Sequence, residues 1–159
     1  MIFNHSNDFA AALPPAGRLL GLDVGDKTIG LALSDASRLI SSPHVTIQRT
    51  KFSKDLEALK AVLAAQQVVG LVIGNPINMD GTSGRRVQST QSFIANLKKH
   101  IDLPMLLWDE RLTTMAVVRM MEQEADLSRK RRDELVDKLA ASYMLQGCLD
   151  RMNQMSSPT

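Results

Sequence analysis

One segment constrains this chain more than any other: Val68-Val69-Gly70-Leu71-Val72-Ile73 is apolar at every position. A strand that faces water on one side alternates apolar and polar residues, whereas a strand with no polar position has to be covered on both faces. Gln66-Gln67 before the run and Gly74-Asn75-Pro76 after it mark its ends. It is far too short for the ~20 apolar residues of a membrane helix. The segment therefore predicts a central strand with helices above and below it.

The neighbouring patterns fit around that strand. Leu19 to Val24 and Ile29 to Leu33 are apolar runs broken by Gly25-Asp26-Lys27, the signature of two antiparallel strands joined by a tight turn. His44 to Arg49 alternates Val45 and Ile47 with polar residues, as a half-exposed strand does. Ser53 is placed to cap a helix with Leu56, Leu59, Val62 and Leu63 on one stripe. Beyond the apolar strand, a turn-rich loop to Gly84 leads to a helix with Val87, Phe93, Ile94 and Leu97 inward, and then to a strand over Met105 to Trp108. Thr113 can cap a helix reaching about Glu124, and Ser128 to Arg151 reads as a longer helix with Leu135, Leu139, Tyr143 and Met144 on its apolar side. This order predicts a three-layer α/β/α domain around a central mixed five-stranded sheet.

At 159 residues, with 44% hydrophobic and 23% charged, the chain has the size and composition of one globular domain, which excludes a disordered tail or a fibrous rod. Residues 1–17 and 153–159 show no period that could bury a face and are expected to be a flexible lead-in and tail around a folded unit of 18–152. The lead-in contains no Lys or Arg, so the expected location is the cytoplasm, with no membrane partner. A single cysteine, Cys148, and three isolated histidines exclude an internal disulfide and make zinc chemistry a poor fit. The net charge of +2 is too small to attract nucleic acid by itself, so any such surface has to come from local clusters.

Asp23 is a carboxylate inside Leu19-Leu20-Gly21-Leu22-Asp23-Val24, where desolvation costs several kcal/mol, roughly, unless something compensates it. Asp109 and Glu110 end the strand Met105 to Trp108, and alternation lets only one of them share a face with Asp23. Asp137 lies beside the core-facing stripe of the last helix, where Ala140 and Ala141 permit a close approach to the sheet. If the three acids converge, their repulsion calls for a divalent cation, and an all-oxygen site favours Mg²⁺ or Mn²⁺. The residues alone also allow another arrangement, with Asp23 held by turn amides near Gly25, Glu110 paired with Arg111, and Asp137 paired with Lys138 or Arg132.

At these residues the chain resembles a known family. Gly21-Leu22-Asp23-Val24-Gly25-Asp26-Lys27-Thr28-Ile29-Gly30, Asn78-Met79-Asp80-Gly81-Thr82, Asp109-Glu110-Arg111-Leu112-Thr113-Thr114 and Val136-Asp137-Lys138-Leu139-Ala140-Ala141 are similar to the four signature blocks of the YqgF family, over about residues 18 to 150. That family is similar to the RuvC-type resolvases within the ribonuclease H-like fold and is described as pre-16S rRNA nucleases or Holliday junction resolvases. The resemblance implies that Asp23, Glu110 and Asp137 are the metal-binding catalytic acids of a metal-dependent phosphodiesterase. One departure is Gly74-Asn75-Pro76, where the family usually reads Gly-Leu-Pro.

The basic residues suggest how a nucleic acid is held. Lys27 sits in the turn beside Asp23, Arg85 and Arg86 open a helix, Arg111 follows Glu110, and Arg131 belongs to the run Arg129 to Arg132. Phosphate contacts by such residues carry little sequence preference and suit a nuclease that selects shape. Solvated charged faces remain the alternative, particularly for 129–132, where Asp133 and Glu134 follow. Trp108 and Tyr143 are expected in the core rather than as stacking platforms, since aromatic residues make up only 4% of the chain. The resemblance implies cleavage of precursor 16S ribosomal RNA near its 5′ end, and the expected partner of a monomer or homodimer is structured RNA or branched DNA. Resolution of four-way DNA junctions and a non-catalytic nucleic-acid-binding module are the alternatives. An actin-like ATPase or sugar kinase is excluded by length, because those proteins need two such domains.

Overall fold

The computed structural model describes residues 1–25, 27–75, 85–109 and 129–156. In chain order these form β1 (Ile2–Phe3), α1 (Ser6–Ala12), β2 (Arg18–Val24), β3 (Thr28–Ser34), β4 (Ser41–Gln48), α2 (Phe52–Ala65), β5 (Val68–Asn75), α3 (Arg85–His100), β6 (Met105–Asp109) and α4 (Arg129–Ser156). They build one six-stranded sheet in the order β1-β6-β5-β2-β3-β4. The apolar segment β5 lies inside it, parallel to β2 on one side and to β6 on the other. Leu71, Val72 and Ile73 are fully buried.

Alternation along the strands divides the core in two. Leu20, Leu22 and Val24 of β2, with Ile29, Leu31, Leu71 and Ile73, pack under Leu59 of α2 and Phe93, Ile94 and Leu97 of α3. Leu19, Ala32, Val72 and Leu106 face the other way, against Phe9 of α1 and Ala141, Met144, Leu145, Cys148 and Leu149 of α4. The architecture is the expected α/β/α sandwich with a mixed sheet, since β2 and β3 pair antiparallel and β3 pairs antiparallel with β4.

The sheet has six strands rather than five because residues 1–17 are not a flexible lead-in. β1 adds a short parallel edge to β6, and Phe9 is completely buried. The cause is Gly70: a side chain there would come within 2.7 Å of Leu13 and 3.2 Å of Phe9, so its absence leaves the slot these two residues fill. Arg38, at a positive φ of 58°, then fastens the connection by donating from Nε to the Gly17 carbonyl (2.9 Å) and from Nη2 to the Pro14 carbonyl (2.8 Å).

Other boundaries shift for local reasons. α4 continues through Ser156, so residues 153–156 are helical rather than tail, and the Asn153 amide donates to the Arg38 carbonyl (3.0 Å). α2 starts at Phe52 with Lys51 at its cap and no side-chain cap bond, in place of a Ser53 cap. The buried Asp55 instead accepts the Thr50 amide (3.1 Å). Tyr143 is 41% exposed and so lies outside the core expected for it. The helix expected from Thr113 to Glu124 falls outside the described residues. Among the described residues, no helix is long and apolar enough to cross a membrane.

Candidate active site

The parallel strands β2, β5 and β6 end along one edge of the sheet, with Leu22 beside Ile73 and Asn75 beside Asp109. In open α/β sheets this carboxyl edge is where ligands bind. Asp23 stands there, one residue from the end of β2, and is half-buried. It alternates with Leu19 and Gly21 and therefore belongs to the α4 side of the sheet.

Gly21 shows how close α4 comes. A Cβ at this position would stand 3.1 Å from Cβ of Leu145 and 3.3 Å from the Ala141 carbonyl oxygen. Later residues of α4 reach the opposite edge, where the Gln146 amide donates to the Leu39 carbonyl (3.0 Å) and its oxygen accepts the Ser41 amide (2.8 Å). α4 thus runs antiparallel to β2. Asp137 precedes Ala141 by one helical turn, about 6 Å of rise, and Asp23 follows Gly21 by two strand residues, about 6.6 Å. Both positions come to the same level above the same face.

Across the sheet from Asp23, β3 contributes Gly30 and β4 contributes Thr46, each directly paired with its neighbour. Paired residues share a face, so Asp23 and Thr46 flank a position that has no side chain. The Thr46 hydroxyl is buried and has no hydrogen-bond partner among the described residues. The β2–β3 turn is tight, with the Gly25 amide donating to the Thr28 carbonyl (2.8 Å). Lys27 at its tip is exposed.

Asp23 and Lys27 both lie at this edge, at the end of β2 and in the turn after it, and Asp137 belongs to the part of α4 before Ala141. Arg85 and Arg86 are the first residues of α3, which returns from the β5 end of this edge, and Arg131 lies near the start of α4. Glu110 and Arg111 lie outside the described residues, among which no group of three metal-ligating side chains comes together. Burial among the α4 residues pushes the Cys148 thiol pKa up to about 12 and disfavours its thiolate.

Two residues at the site had no sequence signal of their own. Thr46 is one of several polar positions in an alternating strand, and only the register shows that it faces Asp23 across Gly30. Arg49 follows that strand, yet its guanidinium reaches back to the β2–β3 turn, donating from Nη1 to the Gly25 carbonyl (2.6 Å).

The chain is 56% identical over 152 residues to a protein of Rhodobacter capsulatus named "Putative pre-16S rRNA nuclease", covering 96% of this chain and 95% of that one. It is 55% identical over 154 residues to a protein of the same name from Sphingopyxis alaskensis, covering 97% and 100%. The Thermus thermophilus RuvC structure in complex with a Holliday junction substrate shares the fold, with a TM-score of 0.55 at 13% identity over 86% of this chain and 96% of that one. Residues 17–151 match the model of the family described as RuvX, Holliday junction resolvase, and with the carboxylate at the end of β2 and α4 laid closely over that strand, the chain belongs to this RuvX family, also called YqgF, of ribonuclease H-like nucleases.

Proposed function

We propose that this protein is a metal-dependent nuclease that hydrolyses phosphodiester bonds in precursor 16S ribosomal RNA in the cytoplasm. The observation that supports this reading is the close passage of α4 over the small residue Gly21, one helical turn from Asp137 on α4 and two residues from Asp23 on β2. The near full-length similarity to proteins named as pre-16S rRNA nucleases supports the choice of substrate.

The donor set suits a hard divalent cation. Asp23 is a half-buried carboxylate, its cross-strand partner Gly30 carries no side chain, and the hydroxyl of Thr46, paired with Gly30, is buried with no hydrogen-bond partner among the described residues. Asp23, Glu110 and Asp137 would hold Mg²⁺ or Mn²⁺ through oxygen. Leu106 and Trp108 belong to the α4 side of β6, and Glu110 is taken as the third acid on the family resemblance. The bound ions would lower the pKa of the attacking water and neutralise charge on the leaving oxygen. Lys27, exposed in the β2–β3 turn, would contact a backbone phosphate, and the sequence assigns Arg85, Arg86, Arg111 and Arg131 to the same role.

Cleavage of labelled precursor 16S RNA and of four-way DNA junctions, each with Mg²⁺ and with Mn²⁺, tests this reading. Asp23→Asn keeps the size of the side chain but removes a ligand charge, so cleavage should fall on the order of a thousandfold or more with binding retained. Equal cleavage by wild type and Asp23→Asn would overturn it. Symmetric opening of junctions with intact precursor RNA would keep the chemistry and replace the substrate.

A further inference from the structure

We propose that Arg49 is a positioning residue that sets the β2–β3 turn and, through it, Asp23 and Lys27. This rests on the reading of Asp23 as a catalytic acid. Three contacts meet at this residue. Its Nη1 donates to the Gly25 carbonyl at 2.6 Å, its backbone amide donates to the Lys27 carbonyl at 2.8 Å, and its guanidinium lies 5.3 Å from the centroid of the Phe93 ring. One residue thus holds the turn on both sides of residue 26, its side chain bonding Gly25 and resting on Phe93 of α3 and its backbone bonding Lys27. Charge-assisted bonds of this length are among the stronger ones in proteins, and a guanidinium over an aromatic face adds attraction that a neutral side chain lacks.

The anchor is itself braced. Asp55, 3% exposed, accepts the amide of Thr50, the residue after Arg49, at 3.1 Å, and the Asp55 amide donates to the Lys51 carbonyl at 3.0 Å. Phe93 is held edge-on by Phe52 at 5.5 Å between centroids. The corner between β4 and α2 is thereby fixed to α3, and Arg49 transmits that rigidity to the turn. A tight hairpin with an exposed tip has few contacts of its own, so without this strut it can open locally. Asp23 is two residues from the gripped Gly25 carbonyl, close enough that such opening displaces it.

The test uses the full chain as wild type, Arg49→Met and Arg49→Lys. Methionine keeps the stem packed on Phe93 but has no donor, and lysine restores a donor and a charge. Native-state hydrogen exchange reads the Gly25 amide, bonded to Thr28, against the Leu71 amide, which donates to the Pro104 carbonyl at 2.9 Å in the central strand. In Arg49→Met, Gly25 exchange should rise about tenfold with Leu71 within twofold, and kcat for cleavage should fall about tenfold with KM within twofold. Arg49→Lys should recover a substantial part of both losses. Unchanged Gly25 exchange, a parallel rise at Gly25 and Leu71, or faster Gly25 exchange with kcat intact would each overturn the proposal. If wild type cleaves neither RNA nor junctions, the nuclease reading fails by itself, and the exchange contrast still decides whether Arg49 holds the turn.

Discussion

The two faces of the sheet are built from different materials. Beneath α2 and α3 the layer is mainly Leu, Ile, Val and Phe, with Leu22, Ile29, Leu31, Leu71 and Ile73 fully buried. Beneath α4 the same strands present Gly21, Asp23, Gly30 and Ala32, and the helix answers with Ala140 and Ala141. The first face fills space with large side chains. The second gives up that volume so that a helix can approach the backbone and an acid can stand at its edge. One sheet therefore keeps its stability and its chemistry on opposite sides.

That division predicts separable losses. Leu71→Ala empties a fully buried position on the packed face and should cost about 2–5 kcal/mol in urea unfolding, while the molecules that remain folded keep their cleavage rate. A specific activity per folded molecule that falls with stability would mean the faces are coupled. Gly21→Ala adds one methyl where 3.1–3.3 Å is available against Leu145 and Ala141, so α4 has to move. Its cost should be smaller, about 1–3 kcal/mol, but activity should fall as well, because the same helix carries Asp137. Retained activity in Gly21→Ala would break the link between close approach and catalysis.

The smallest effect concerns Cys148, on the α4 face. Its thiol pKa is raised from 9.0 to about 12 by burial, so the neutral form is favoured in the folded state. A raised folded pKa contributes stability that is complete below the unfolded value and is lost as pH climbs from about 9 toward 12. Unfolding free energy should be insensitive to this group at neutral pH and decline by under about 1 kcal/mol by pH 9.5. Cys148→Ala should flatten that decline. A native thiol that reacts quickly with a thiol reagent at pH 8 would contradict the burial.

The strands of the packed face were legible because continuous apolar runs and 3.6-residue stripes are strong periodic signals, and Leu59, Phe93, Ile94 and Leu97 are inward as their spacing predicts. The N-terminal segment was not, because a two-residue strand and a seven-residue helix are too short for a period to emerge. What seats that helix is the missing side chain of Gly70, in a strand far along the chain. A glycine within an otherwise apolar strand is a signal of close approach, but it does not name the segment that approaches. Asp23 stood out because a charge in an apolar strand is costly. Arg49 did not, since its partners at 25, 27 and 93 are brought to it only by the sheet and by α3.

The pairing of β1 with β6 bears on the order in which the molecule can be made. Ile2 and Phe3 align with Met105 and Leu106, and the Met105 amide donates to the Met1 carbonyl at 3.0 Å. Ile2 and Phe3 are therefore synthesised long before their partners, because that edge does not exist until residues beyond 106 have been made. Such pairing raises the contact order and delays closure of the sheet relative to the local β2–β3–β4 hairpins. Until then Phe9, fully buried at the end, lacks the part of its docking site that Leu106 and α4 supply. Bulk fused directly to Met1 would act on this late step, slowing maturation even where the finished fold tolerates it.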